Sequence, residues 1–183
     1  MLTLHRVRGV GPSEDVALGH AAVVDGTRFA AIGPYEDLLA AYGERARVRD
    51  WGDGILTPGR FEPDAVALLE SAYWPDPREA DTLGTEPLTG PALAALDMTD
   101  TRWGASARRG VQRLLATGTT ALAGPFTHPA VRTAVARSAI KVVTGPPAQL
   151  RLAPGARANF AIFAEGETCL ATSIEGRLVF RRR

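Results

Sequence analysis

The chain has 183 residues, 45% of them hydrophobic and 22% charged, and its 21 Lys and Arg against 20 Asp and Glu leave a formal charge of +1. That length suits one domain, or one domain carrying a large insertion, and buries about 70% of the unfolded surface, so the core needs neither disulfide nor metal. A charge so near zero sets up no broad field for nucleic acid or acidic membranes, and no apolar run of about 18 residues is present to cross a bilayer.

In chain order, Leu2, Leu4 and Val7 favour a first strand, and residues 9–15 have the Gly, Pro, Ser and Asp content of a loop. His20–Val24 and Arg28–Ile32 flank Asp25-Gly26, a hairpin signal. A short helix follows Pro34, with Leu38, Leu39 and Tyr42 on one face and Gly43 at its end. Val48–Trp51 and Ile55–Thr57 read as short strands before the Pro58-Gly59 turn. Asp64–Trp74 reads as a helix stopped by Pro75 and Pro77, and residues 75–91 as a long surface loop. The next elements are a helix from Trp103 to Thr117 closed by Gly118, a strand Thr119–Leu122, a helix Pro129–Ser138 and a strand Ile140–Val143. Gly145-Pro146-Pro147 turns the chain. Asn159–Phe163 is then a strand, and Thr168–Ile174 and Arg177–Phe180 pair across Glu175-Gly176. The order is β-rich, then α-β-α-β, then β-rich, which reads as one β module interrupted by an insertion.

The single cysteine, Cys169, cannot form an internal disulfide and fits a reducing cytoplasm. The first residues, Met1-Leu2-Thr3-Leu4-His5-Arg6, lack the apolar core of a signal peptide. A cytoplasmic protein is expected.

Several runs resemble the amidohydrolase superfamily. Phe29–Gly33, Asp50–Leu56 and Leu56-Thr57-Pro58-Gly59 are similar to its entry. Leu152–Phe163 and Glu175-Gly176-Arg177-Leu178-Val179 are similar to its exit, with imidazolonepropionase-like and aminodeoxyfutalosine deaminase-like sequences nearest. Arg109–Thr120 resembles a barrel helix leading to a Gly-Thr-Thr strand. The resemblance implies an α+β fold: a composite β domain (β-sandwich or half-barrel) from residues 1–60 with 147–183, and an α/β remnant of a (β/α)₈ barrel over 61–146. A whole barrel needs roughly 200 residues or more, so most of it is missing.

The resemblance also implies two metal-binding histidines, one residue apart, at the end of the first barrel strand. Asp64 and Val66 stand there instead, and valine cannot ligate. Asn159 replaces the usual aspartate, keeping turn chemistry without the charge.

Other candidates have bland readings. His5 and His20 lie on strands as surface or half-buried residues, and His128 sits before Pro129 in capping geometry with Thr127 offering the hydroxyl. Glu62 and Asp64 point to water in a turn, while Asp81, Asp97 and Asp100 read as caps. Ser106 and Ser138 lack a nucleophile elbow, and no nucleotide-binding glycine motif occurs. Cys169 reads as a small buried hydrophobe. Arg102, Arg109 and Arg113, with Arg108 nearby, read as a solvated helix face, and Arg181-Arg182-Arg183 as solvated fringe.

No catalytic residue, metal or cofactor is assigned. The leading expectation is a non-catalytic binding or scaffolding module. A truncated barrel exposes sheet edges and helix faces, so a homo-oligomer or a partner protein covering the remnant is expected. The competing reading is a metal-dependent hydrolase of non-peptide carbon–nitrogen bonds, its rebuilt or subunit-shared site recruiting Glu62, Asp64 and His128. A third is a small-ligand binding domain without chemistry.

Overall fold

The computed structural model describes residues 1–12, 14–145 and 151–182. Its strands and helices are, in chain order, β1 (Leu2–Arg6), β2 (Gly9–Val10), β3 (Ala17–Leu18), β4 (His20–Asp25), β5 (Arg28–Pro34), α1 (Tyr35–Tyr42), β6 (Arg47–Asp50), β7 (Ile55–Pro58), β8 (Arg60–Glu62), α2 (Ala65–Glu70), α3 (Ala80–Leu83), α4 (Gly90–Ala94), α5 (Asp100–Ala116), β9 (Thr119–Ala123), α6 (Pro129–Arg137), β10 (Lys141–Val143), β11 (Phe160–Phe163), β12 (Cys169–Ile174) and β13 (Arg177–Arg181). This is an α+β chain with mixed sheets, and it divides into two compact units. Unit 1 is Met1–Arg60, Leu115–Thr120 and Ala148–Arg183, and unit 2 is Phe61–Leu114 and Ala121–Pro147. Among the described residues no helix is long and apolar enough to cross a membrane.

Two tight turns set the hairpins of unit 1. Gly26, at φ 54°, closes β4 onto β5, and Glu175 and Gly176, at φ 49° and 76°, close β12 onto β13. Positive φ at the turn centre matches the right-handed twist of the flanking strands. The hairpins belong to two sheets, one ordered β5-β4-β1-β6 and one ordered β13-β12-β11-β7-β2-β3. Period-two alternation then assigns the faces. Leu4, Ala21 and Val23 turn outward under Leu38 of α1, whereas Ala22, Val24 and Phe29 meet Leu56, Phe160, Ile162 and Ala171 of the second sheet. Unit 1 is therefore a β-sandwich with one helix on its outside.

At the Thr57-Pro58-Gly59 turn a Cβ on Gly59 would fall on the side chain of Thr120, which is why that position has none. Thr120 is fully buried and its Oγ1 has no hydrogen-bond partner among the described residues. A desolvated, unpaired hydroxyl is unfavourable. Thr120→Val, which keeps the shape, should raise stability by about 1 kcal/mol in chemical denaturation; an equal loss would show that the hydroxyl is used.

In unit 2 the order of the short sheet is β10-β9-β8, with β9 and β10 parallel and Lys141, Val142 and Val143 opposite Ala121, Leu122 and Ala123. Proline at the first position starts α6, and Val131, Ala134 and Val135 form its buried stripe.

Some local expectations change. α2 stops at Glu70 rather than Trp74, because Tyr73 exchanges both backbone hydrogen bonds with Leu88 and the Trp74 N–H goes to Ser106 Oγ at 2.9 Å. Residues 75–91 are not one loop: a 3₁₀ turn over Pro77–Glu79 leads into α3, and α4 begins at Gly90. Asp76 and Glu79 form a capping box there, satisfying backbone donors reciprocally. The glycine-rich stretch after β1 holds β2 and β3. Arg181 and Arg182 are exposed, as a solvated fringe would be, although Arg181 ends β13 and Arg182 Nε donates to the Cys169 carbonyl at 3.1 Å. The prolines of Gly145-Pro146-Pro147, the 146/147 junction and Arg183 lie outside the described residues.

Candidate functional site

The strand ends of unit 2 are where the sequence placed its candidate carboxylates and His128. β8 ends at Glu62, whose carboxylate accepts the Asp64 N–H at 3.0 Å, so one of the pair is used to shape the turn. Asp64 precedes α2 with an exposed side chain that makes no capping hydrogen bond, and Val66 lies in the first turn of that helix.

Glu70, at the end of α2, is the group sequence reasoning missed. Its carboxylate accepts the N–H groups of Thr127 and His128 at 2.6 and 2.7 Å and the Thr127 hydroxyl at 3.0 Å. Nothing in the sequence spacing announces this link across 57 residues. The Thr127 hydroxyl is thereby occupied, which corrects its expected capping role. The imidazole caps instead: His128 Nδ1 accepts the Ala130 N–H at 3.3 Å, its Nε2 lies 3.8 Å from Asp100 Oδ1, and its ring is 5.3 Å from Trp103. Glu70→Ala removes three charge-assisted bonds at once and should cost about 2 kcal/mol, with faster amide exchange at Thr127 and His128. Unchanged exchange there would refute the clamp.

The arginine face is also largely committed. Arg102 Nη2 donates to Glu79 at 2.9 Å and Arg109 Nε to the Trp74 carbonyl at 2.7 Å, with Arg109 Nη1 3.3 Å from Asp76. Both guanidinium groups lie over the Tyr73 ring, at 4.9 and 5.6 Å. Burial and the Glu79 bond raise the Tyr73 phenol, and the Tyr73 hydroxyl and Asp76 N–H hold Glu79 below its ordinary range. Arg108 and Arg113 remain exposed and line, with Trp74, Pro75 and Gln112, an open groove of about 490 Å³. The other acidic residues are ordinary: Asp81 and Asp100 lie in first turns, while the α5 cap bond comes from Thr99.

In unit 1, His5 is not at the surface. It is 2% exposed, its Nδ1 accepts the indole N–H of Trp51 at 3.1 Å, and burial followed by the charge of Arg49 lowers its pKa to about 4. His20 is half-buried at the start of β4. Asn159 Oδ1 accepts the Glu175 N–H at 2.7 Å and so braces the second hairpin as an aspartate would. Cys169 is buried, and burial raises its thiol pKa, which disfavours the reactive thiolate.

No group of three or more His, Cys, Asp or Glu side chains among the described residues is placed to hold a metal ion. The metal that the sequence resemblance implies therefore does not fit the donors just past β8, where the exposed carboxylate of Asp64 precedes α2 and the isopropyl group of Val66 lies in its first turn. No chemical step is routed through a metal.

No family model matches the chain, and no curated protein sequence matches it significantly. Solved structures do. The chain is similar to Helicobacter pylori aminofutalosine deaminase in complex with methylthio-coformycin, with a TM-score of 0.51, 12% identity, 76% of this chain covered and 34% of that one. It is similar to E. coli guanine deaminase with a TM-score of 0.50, 16% identity and coverage of 76% and 36%. Such neighbours are amidohydrolase-superfamily deaminases and hydrolases. The likeness shows a fold shared with part of each of those two chains. This chain spans about a third of the length of these two structures.

Proposed function

We propose that the chain is a binding or scaffolding module of amidohydrolase-type fold that performs no metal chemistry of its own. The observation that carries the reading is the start of α2, just past β8, where Asp64 and Val66 stand and no metal-ligand group assembles among the described residues. Unit 1 corresponds in this reading to the composite β domain, residues 1–60 with 147–183, and unit 2 to a barrel remnant over 61–146. A homo-oligomer or a partner protein covers that remnant, in the cytoplasm. The edge position of β10 and the 41% exposure of Val142 upon it favour such a cover.

Elemental mass spectrometry on the purified chain, beside a chelator-treated control, tests the reading. Metal well below one per chain is expected, with no turnover of carbon–nitrogen substrates. Near-stoichiometric zinc, iron or manganese together with turnover lost in Asp64→Ala or His128→Ala would overturn it in favour of a hydrolase. Light scattering across micromolar concentrations tests the association, and a monomer throughout would remove the self-association arm.

A further inference from the structure

In unit 1 a cavity of about 360 Å³ opens between the two sheets, beside the β6 edge. Thr3 and His5, two apart on β1, share one strand face, and Arg49 of β6 stands in register with His5. Gly176, Arg177 and Leu178 form part of the lining contributed by the second sheet.

Three polar groups there have no hydrogen-bond partner among the described residues. Trp51 can only donate, so its bond to Nδ1 leaves the neutral His5 imidazole with its proton on Nε2. That Nε2–H makes no hydrogen bond among the described residues, although the side chain is almost wholly buried. The Nε–H of Arg49 is likewise buried and unpaired. The Thr3 hydroxyl, on a residue 9% exposed, has no hydrogen bond among them either. Buried donors are ordinarily satisfied, so the wholly buried Nε–H of Arg49 is an exception, and the open Nε2–H of His5 and hydroxyl of Thr3 beside that guanidinium suit a ligand that accepts. No carboxylate of the described residues lines the cavity, while Arg49 and Arg177 both do. Arg47 and Arg181 add to the positive field at Arg49, which burial and these neighbours hold below its ordinary pKa.

We infer that this cavity is a binding site for a small molecule bearing an oxyanion, a carboxylate or a phosphate, held by the Nε2–H of His5, the guanidinium of Arg49 and the hydroxyl of Thr3. The anion accepts from all three and offsets the arginine charge. At this volume the site takes a small metabolite-sized ligand. The inference goes beyond the scaffolding role and does not rest on it, since it concerns other residues in the other unit.

The test follows the indole N–H resonances of the full chain by ¹H–¹⁵N NMR, with inorganic phosphate and, separately, acetate added at ionic strength held constant with chloride. Trp51→Phe assigns the Trp51 signal among the three tryptophans. A saturating shift of that signal with at least one anion is expected, and which anion saturates identifies the oxyanion type. Arg49→Gln should weaken the binding about tenfold or more, as loss of a charge-assisted bond does. Arg108→Gln, in unit 2, should leave it unchanged. Should Arg49→Gln fail to fold, Thr3→Val takes its place and must also weaken binding. Shifts that never saturate with either anion, or equal affinity in the site variant, would overturn the site. Neither result bears on the metal content that tests the proposed function.

Discussion

Acidification should destabilise the sandwich by about 3 kcal/mol through one imidazole, because the pKa of His5 falls from 6.5 to about 4 on folding. The unfolded chain takes up that proton below about 6.5, and the native one only below about 4. Between those values the unfolded state holds more protons, so stability rises with pH, is full above the window and is lost on descending through it. The charged group in register with His5 is Arg49 of β6, whose charge opposes protonation, and Arg177 of β13 lines the same cavity. Asp50 and Glu79 also favour higher pH, but their lowered pKa values confine their effect to below 3.8 and 4.5. Urea midpoints measured at pH 5, 6 and 7 should therefore climb in the wild type and stay level in His5→Gln, which keeps an acceptor for Trp51. A level wild-type profile would contradict the buried neutral imidazole.

A loss of about 3–5 kcal/mol is expected from Phe160→Ala, the usual range for emptying an aromatic site in a packed core. Phe160 is fully buried on β11, opposite Ser173 of β12 and Pro58 of β7. Its ring meets the edge of His5 at 5.1 Å and Phe29 at 5.7 Å. Phe160→Leu should cost about half as much, since the void is smaller. The ring is also part of what desolvates His5. Water entering the vacated space would ease protonation, so the pH dependence between 5 and 6.5 should flatten in Phe160→Ala. Additive effects in the Phe160→Ala/His5→Gln double variant would show that the two side chains do not communicate.

The β hairpins were legible because their signals are local: Asp25-Gly26 and Glu175-Gly176 sit between alternating runs, and both turns form as read. Pro129 and Gly118 marked helix ends for the same reason. The capping box at Asp76 and Glu79 was equally local, yet four prolines between residues 75 and 91 masked it. The sites behaved differently, because what makes them is distant in sequence. The burial of His5 depends on Phe160, and its tautomer on Trp51, 46 residues away. Arg102 and Arg109 looked free until Glu79 and Asp76 folded against them. Glu70 carries no motif at all; only the return of the chain through β9 brings Thr127 and His128 to it.

β11 lies hydrogen-bonded between β12 and β7, so three strands from the end of the chain and three from its beginning meet at one seam within a single sheet. Lys141, the only lysine of the sequence, falls in the stretch that joins them. A lysine-specific protease would thus nick the backbone once, dividing it into segments 1–141 and 142–183. Neither segment can complete the six-stranded sheet alone, and each supplies the three strands the other lacks. The chain is in this sense a natural split protein: the two pieces should stay joined after cleavage, separate only in denaturant, and reassemble when mixed.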